Sequence, residues 1–167
     1  MKKIILLLLA TMLLTSCKDK FSETLKEAAF WPERAYEESE YFMNAAGDMF
    51  DADHFTDMHY DKRSRIRANY LDQKKRFNQI LKEMDDYYFK LSMSSEKNEK
   101  KKVVVDLYLK QKFEVEYIVK QCIYYVEDIN KHDLDTYRKH RNKLKEMNEQ
   151  IDRDYLQAIK AGQNPFK

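Results

Sequence analysis

Two glycines and two prolines in 167 residues leave almost no vocabulary for tight turns. A β-rich fold needs such turns every few residues, because glycine supplies positive φ and proline presets the bend. Their scarcity points to a few long elements joined by few turns. Lys, Glu, Asp, Leu, Met and Tyr fill the chain instead, and apolar residues recur at spacings of three and four along most of it. That spacing is the signature of amphipathic helices with a solvated outer face.

Four helical segments follow. The first covers roughly 22–50, through Leu25, Ala28, Ala35, Phe42, Met43, Ala46 and Met49. Pro32 interrupts it. Proline is tolerated in a first turn but costs about 3 kcal/mol in a helix interior. Either a long helix begins at Pro32 after a short one, or one helix is kinked there. The second segment covers 56–92, through Ile66, Tyr70, Phe77, Ile80, Met84, Tyr88 and Leu91. The third covers 95–130, through Val104, Tyr108, Val115, Ile118, Cys122 and Val126, and is the most apolar. The fourth runs from an N-capping Asp133 to Ala161, through Tyr137, Leu144, Ile151 and Ile159, with Gly162 as its stop. The joints between them are short, which makes antiparallel neighbours. The predicted fold is all-α: an up-down-up-down four-helix bundle. A helical hairpin that completes its core only as a dimer is the alternative.

Ahead of the bundle, Lys2 and Lys3 precede an apolar run, Ile4 to Leu14, that ends in Leu14-Thr15-Ser16-Cys17. About 20 apolar residues are needed to cross a bilayer, so this run is too short. It has the parts of an export signal. The tetrapeptide resembles the lipobox of bacterial lipoproteins. The resemblance implies that residues 1–16 are cleaved and that Cys17 is lipidated and becomes the first mature residue. On that reading residues 17–21 are a tether, 22–162 the bundle domain and 163–167 a tail. Two or three acyl chains would hold the domain durably on a membrane, since each buried methylene contributes about 0.8 kcal/mol. Lys18 follows the cysteine, where the inner-membrane retention rule of enteric lipoproteins would have aspartate. The resemblance therefore favours the outer membrane, with the domain facing the periplasm or the cell exterior.

The leader alters the charge balance. The chain has 31 basic and 29 acidic residues, and discarding Lys2 and Lys3 leaves 29 of each. Residues 18–61 hold 4 basic and 12 acidic side chains, and residues 62–112 hold 15 and 7. An antiparallel hairpin of the first two helices would set Glu33, Glu37 and Glu40 level with Arg67, Lys74 and Lys75. That arrangement and the expected location outside the cytoplasm exclude nucleic acid as the partner of the basic run. Once Cys17 is lipidated, Cys122 is the remaining cysteine, and it reads as a small apolar core residue.

Candidate sites are few. Lys97, Lys100, Lys101 and Lys102 fall on a turn expected near the membrane, where they could touch anionic headgroups or simply be solvated. His54, His59 and His132 gather with several aspartates at the opposite end. Imidazole and carboxylate are metal ligands, but His54 and His59 are five apart, and a polar turn with capping aspartates fits equally. An exposed stripe of Tyr41, Tyr60, Tyr87 and Tyr124 would be a partner surface; as core-edge residues they would not.

No GxSxG motif, phosphate-cradling glycine loop or nucleophile setting occurs. The expectation is no catalysis and no cofactor. It is instead a lipid-anchored, non-enzymatic envelope protein that binds or scaffolds another protein, inhibits one, or self-associates. A metal- or small-ligand-binding lipoprotein using the histidine end is the alternative.

Overall fold

A computed structural model of the chain describes residues 19–54, 57–128 and 133–167. The lipobox cysteine Cys17 and the histidine His132 lie outside the described residues. Among these residues the fold has five helices and a short terminal one. They are α1 (Lys20–Ala28), α2 (Phe30–His54), α3 (Tyr60–Ser95), α4 (Glu99–Glu127), α5 (Leu134–Ile151) and, after a π turn at Asp152–Leu156, α6 (Gln157–Lys160). No strand occurs among the described residues.

Local signals explain the element ends. Asp19 caps α1, accepting from the Phe21 amide at 3.3 Å. Asn98 caps α4 through the Lys101 amide at 3.1 Å, and Asp133 caps α5 through the Asp135 amide at 3.0 Å. Each supplies an oxygen to an amide that has no partner inside the helix. The terminal helix stops at Gly162, which has φ +77°. The Gly162 amide donates to the Ile159 carbonyl at 3.1 Å and the Gln163 amide to the Ala158 carbonyl at 2.9 Å. That is the Schellman pair of bonds, which requires a left-handed residue. Pro32 sits in the first turn of α2, buried, with α1 ending as a separate helix at Ala28. Of the two readings of Pro32, the helix start is the one observed. The second turn lies later than expected: Met93 and Ser94 are still helical, and the chain reverses at Glu96–Asn98.

The four long helices pack against one another as an up-down-up-down bundle. Phe42 of α2 stacks on Phe77 of α3 at 5.0 Å, while Tyr87, further along α3, reaches back to Glu27 of α1 at 3.1 Å, so α3 runs opposite to α1 and α2. Gln121 of α4 meets Asp133, Glu114 meets His140, and Gln111 meets Asn148. These pairings make α4 and α5 antiparallel. Along one diagonal α2 lies close to α4. At that approach Tyr125 of α4 stands 3.9 Å from where a side chain on Gly47 would begin, and α2 also buries the small residues Ala35, Ala46 and Ala52.

The core is one continuous cluster. Leu25, Phe42, Phe77, Met84, Leu91, Tyr108, Ile118 and Leu144 are fully buried within it. Each large apolar side chain taken out of water contributes about 1.5–3 kcal/mol. The π turn in the last segment inserts one residue into the helical repeat. Ile151 and Ile159 are both buried on either side of it, and Tyr155 stacks on Phe166 at 5.7 Å.

The electrostatic pairing of α2 with α3 is not observed. Among the described residues, Glu33, Glu37, Arg67, Lys74 and Lys75 form no ion pair, and Glu40 reaches the opposite way to Arg141 of α5 at 3.0 Å. Apolar contacts hold α2 to α3, and the opposite charges of the two helices face water.

Candidate functional site

The most chemically organised surface lies between α4 and α5. The inner line of α4 is Val104, Tyr108, Gln111, Val115, Ile118 and Cys122, all fully buried. Roughly a quarter turn round the helix from this line, toward α5, stand Leu107, Glu114 and Gln121. A glutamate and two glutamines on so apolar a helix need partners, because burying an unpaired polar group is costly. α5 supplies them. Gln121 accepts from the Asp133 amide at 3.2 Å, and Gln111 donates to Asn148 at 2.8 Å. Asn148 in turn donates to the Pro32 carbonyl of α2 at 3.2 Å.

Glu114 is the centre of this seam. One carboxylate oxygen contacts Nδ1 of His140, and the other lies 3.6 Å from the Lys143 ammonium. The His140 ring stacks on Tyr117 with centroids 4.5 Å apart and planes within 9°. His140 is the one histidine that the sequence pattern did not single out, and among the described histidines it is the one held by a carboxylate, an aromatic face and partial burial together. Its only trace in the sequence is indirect. Glu114 falls beside the apolar line of α4, and a glutamate there calls for a cationic or donor partner on the neighbouring helix.

Next to the pair an open groove of about 530 Å³ runs between the two helices, lined by Leu107, Lys110, Phe113, Glu114, Met147 and Gln150 among others. Phe113 and Tyr117 flank a second, smaller depression of about 450 Å³ with Glu116 and Lys120. Val103, Phe113 and Tyr117 are 58%, 45% and 48% exposed, although they belong to the helix whose other face is the core. Cys122 is fully buried, and burial pushes its thiol well above the ordinary range. The arrangement suits binding: an apolar floor, two aromatic rings and a charged rim.

The seam between α2 and α5 is structural. The Tyr137 hydroxyl donates to the Ser39 carbonyl at 2.8 Å, and Arg141 Nε donates to the Ser39 hydroxyl at 2.8 Å. The Arg141 guanidinium also lies 4.3 Å over the Tyr36 ring.

The other predicted residues fall as follows. His54 uses Nδ1 on the Phe50 carbonyl at 2.8 Å, with its ring stacked on Phe50 at 4.0 Å. His59 stands at the N-cap of α3, exposed, with Asp61 at 4.0 Å. Among the described residues no three His, Cys, Asp or Glu side chains come together to hold a metal. The four tyrosines form no single stripe. Tyr41 is on α2 and Tyr60 opens α3. Tyr87 donates to Glu27 of α1 at 3.1 Å, and Lys120 lies over Tyr124 on α4. The exposed aromatics that do adjoin one another are Phe113 and Tyr117.

The lysine cluster is split. Lys101 is drawn into the end of the bundle, 2.9 Å from Asp19 and over the rings of Phe21 and Phe166. Lys102 pairs with Glu99 at 2.6 Å, and Lys100 donates to the Lys167 carbonyl at 2.6 Å. Lys97 is exposed in the turn. No helix among the described residues is long and apolar enough to cross a membrane.

No comparison returns a relative. No protein-family model, curated protein or solved structure matches this chain significantly.

Proposed function

We propose that this protein is a lipid-anchored helical bundle of the bacterial envelope that binds another protein through the outer face of α4 and α5. It acts as a binding or scaffold component, not as an enzyme. Cys17 supplies the anchor, and Lys18 after it favours the outer membrane. The observation that carries the binding role is the exposure of Phe113 and Tyr117, four residues apart on α4, with Phe113 lining the α4/α5 groove and both rings lining the depression beside it. Aromatic side chains bury large areas at little conformational cost and anchor many interfaces. Lys110 and Lys120 flank the two rings, and neither forms an ion pair among the described residues. A complementary partner presents apolar side chains between carboxylates.

Photo-crosslinking in intact cells tests this. A photoreactive residue replaces Phe113 or Tyr117 in one set of strains and exposed Lys75 on α3 in the control. The proposal expects one discrete adduct with a different protein at 113 and 117 and none at 75. Adducts of equal intensity at all three positions would overturn it, as would only an adduct of twice the chain's own mass.

A further inference from the structure

The end of the bundle that carries Asp19 is built differently from the rest of the surface. Three separate parts of the chain are locked together there. Asp19 caps α1 and also pairs with Lys101 in the first turn of α4, with both side chains at most 20% exposed. Asn98, the cap of α4, donates to the Phe166 carbonyl at 2.9 Å. Phe166 is buried edge-on against Phe21 at 4.9 Å. The chain is therefore held fast from Asp19 onward.

Cys17 stands only two residues before Asp19. Two extended residues span at most about 7 Å. The headgroup region of one leaflet is of similar depth, roughly 5–8 Å beyond the hydrocarbon. A lipid on Cys17 would therefore keep this end of the domain close to the surface. The end face that meets the headgroups is basic. Among the described residues, Lys20, Lys97 and Lys167 are exposed there without a side-chain carboxylate partner and exposed Lys100 contacts the Lys167 main-chain oxygen, against one exposed side-chain carboxylate without an ion pair, Glu96. Near an anionic leaflet each such cation raises partition by about five-fold.

We infer that this end is a lipid-contact face and that the bundle stands upright on an anionic leaflet, with Lys97 and Lys100 among the headgroups. The inference rests on lipidation at Cys17. Upright placement holds the long axis of α3, about 54 Å at 1.5 Å per residue over its 36 residues, along the membrane normal. It presents the α4/α5 groove sideways, parallel to the surface normal and open to a neighbouring envelope protein.

Vesicles provide the test. The mature chain is coupled through Cys17 to a maleimide lipid, which replaces cellular lipidation. Cys122 is buried and leaves Cys17 as the reactive thiol. Amide exchange is then followed on vesicles with anionic lipid, on neutral vesicles and in solution. The expected result is several-fold slower exchange over residues 96–102 on the anionic vesicles, lost in a Lys97→Glu/Lys100→Glu variant of unchanged helicity. Equal exchange on anionic vesicles and in solution would overturn the inference. So would the same protection in the double variant. A cell that does not lipidate Cys17 would leave this result unchanged and show itself separately, by failure to incorporate fatty acid.

Discussion

The Lys101 ammonium lies 2.9 Å from the Asp19 carboxylate and ties the first turn of α4 to the cap of α1. The two residues are far apart in sequence and share one partly buried corner. A charge-assisted hydrogen bond in such a setting contributes about 1.5–3 kcal/mol when one partner is removed.

Lys101→Met and Asp19→Asn should each lower stability by about 1.5–3 kcal/mol in urea titrations. The double variant should fall well short of the sum, with a coupling of about 1 kcal/mol. Additive losses would mean that the pair does not interact in solution.

The two glycines make opposite predictions. Gly162 has φ +77°, so Gly162→Ala forces an L side chain into the left-handed region at about 1–2 kcal/mol, although nothing stands within 4 Å of the added carbon. Gly47 lies inside α2, and an added Cβ would meet only Tyr125 Cε1, at 3.9 Å. Gly47→Ala should therefore stabilise the bundle by about 0.5–1 kcal/mol, through helix propensity alone. Thermal melts of the two variants should move in opposite directions.

Alkaline pH should unfold the protein in a defined order of titrations. Burial pushes Tyr70 and Tyr137 up to about 12 from 10.0, and raises Cys122 and Tyr108 as well. Each group keeps its proton in the folded state after the unfolded chain has lost it. Their contribution is thus fully present below the unfolded values and declines as pH rises past them. Denaturant midpoints should hold steady with respect to these groups up to about pH 8.5, the free-thiol value, then fall, more steeply above about 10 where free tyrosine ionises. Absorbance near the tyrosinate band should show Tyr70 and Tyr137 ionising late and Tyr108, which burial raises furthest, last.

The helical architecture was legible because burial repeats with the helical period. Leu25, Phe42, Phe77, Tyr108, Ile118 and Leu144 stand on the predicted stripes and form the core. Caps were legible where the side chain is short and polar, as at Asp133. Partner choice was not. The opposite charges of α2 and α3 suggested pairing, yet Glu40 turns to Arg141 because only its face of α2 looks toward α5. Totals of charge along a segment do not encode which face carries them. The same blindness hid His140. A histidine in a lysine- and arginine-rich stretch looks solvated until the fold sets Glu114 and Tyr117 against it. The π turn at Asp152–Leu156 left no mark either, since Ile151, Tyr155 and Ile159 fit an uninterrupted helix equally well.

Anchoring at Cys17 underlies both the proposed location and the proposed orientation. It is tested most directly by labelling cells with radioactive palmitate and fractionating them, with the wild-type chain beside Cys17→Ser. The account predicts labelled wild-type protein in the membrane fraction, and an unlabelled variant that leaves it. A variant that still takes up label, or a wild-type chain that takes up none, would contradict it.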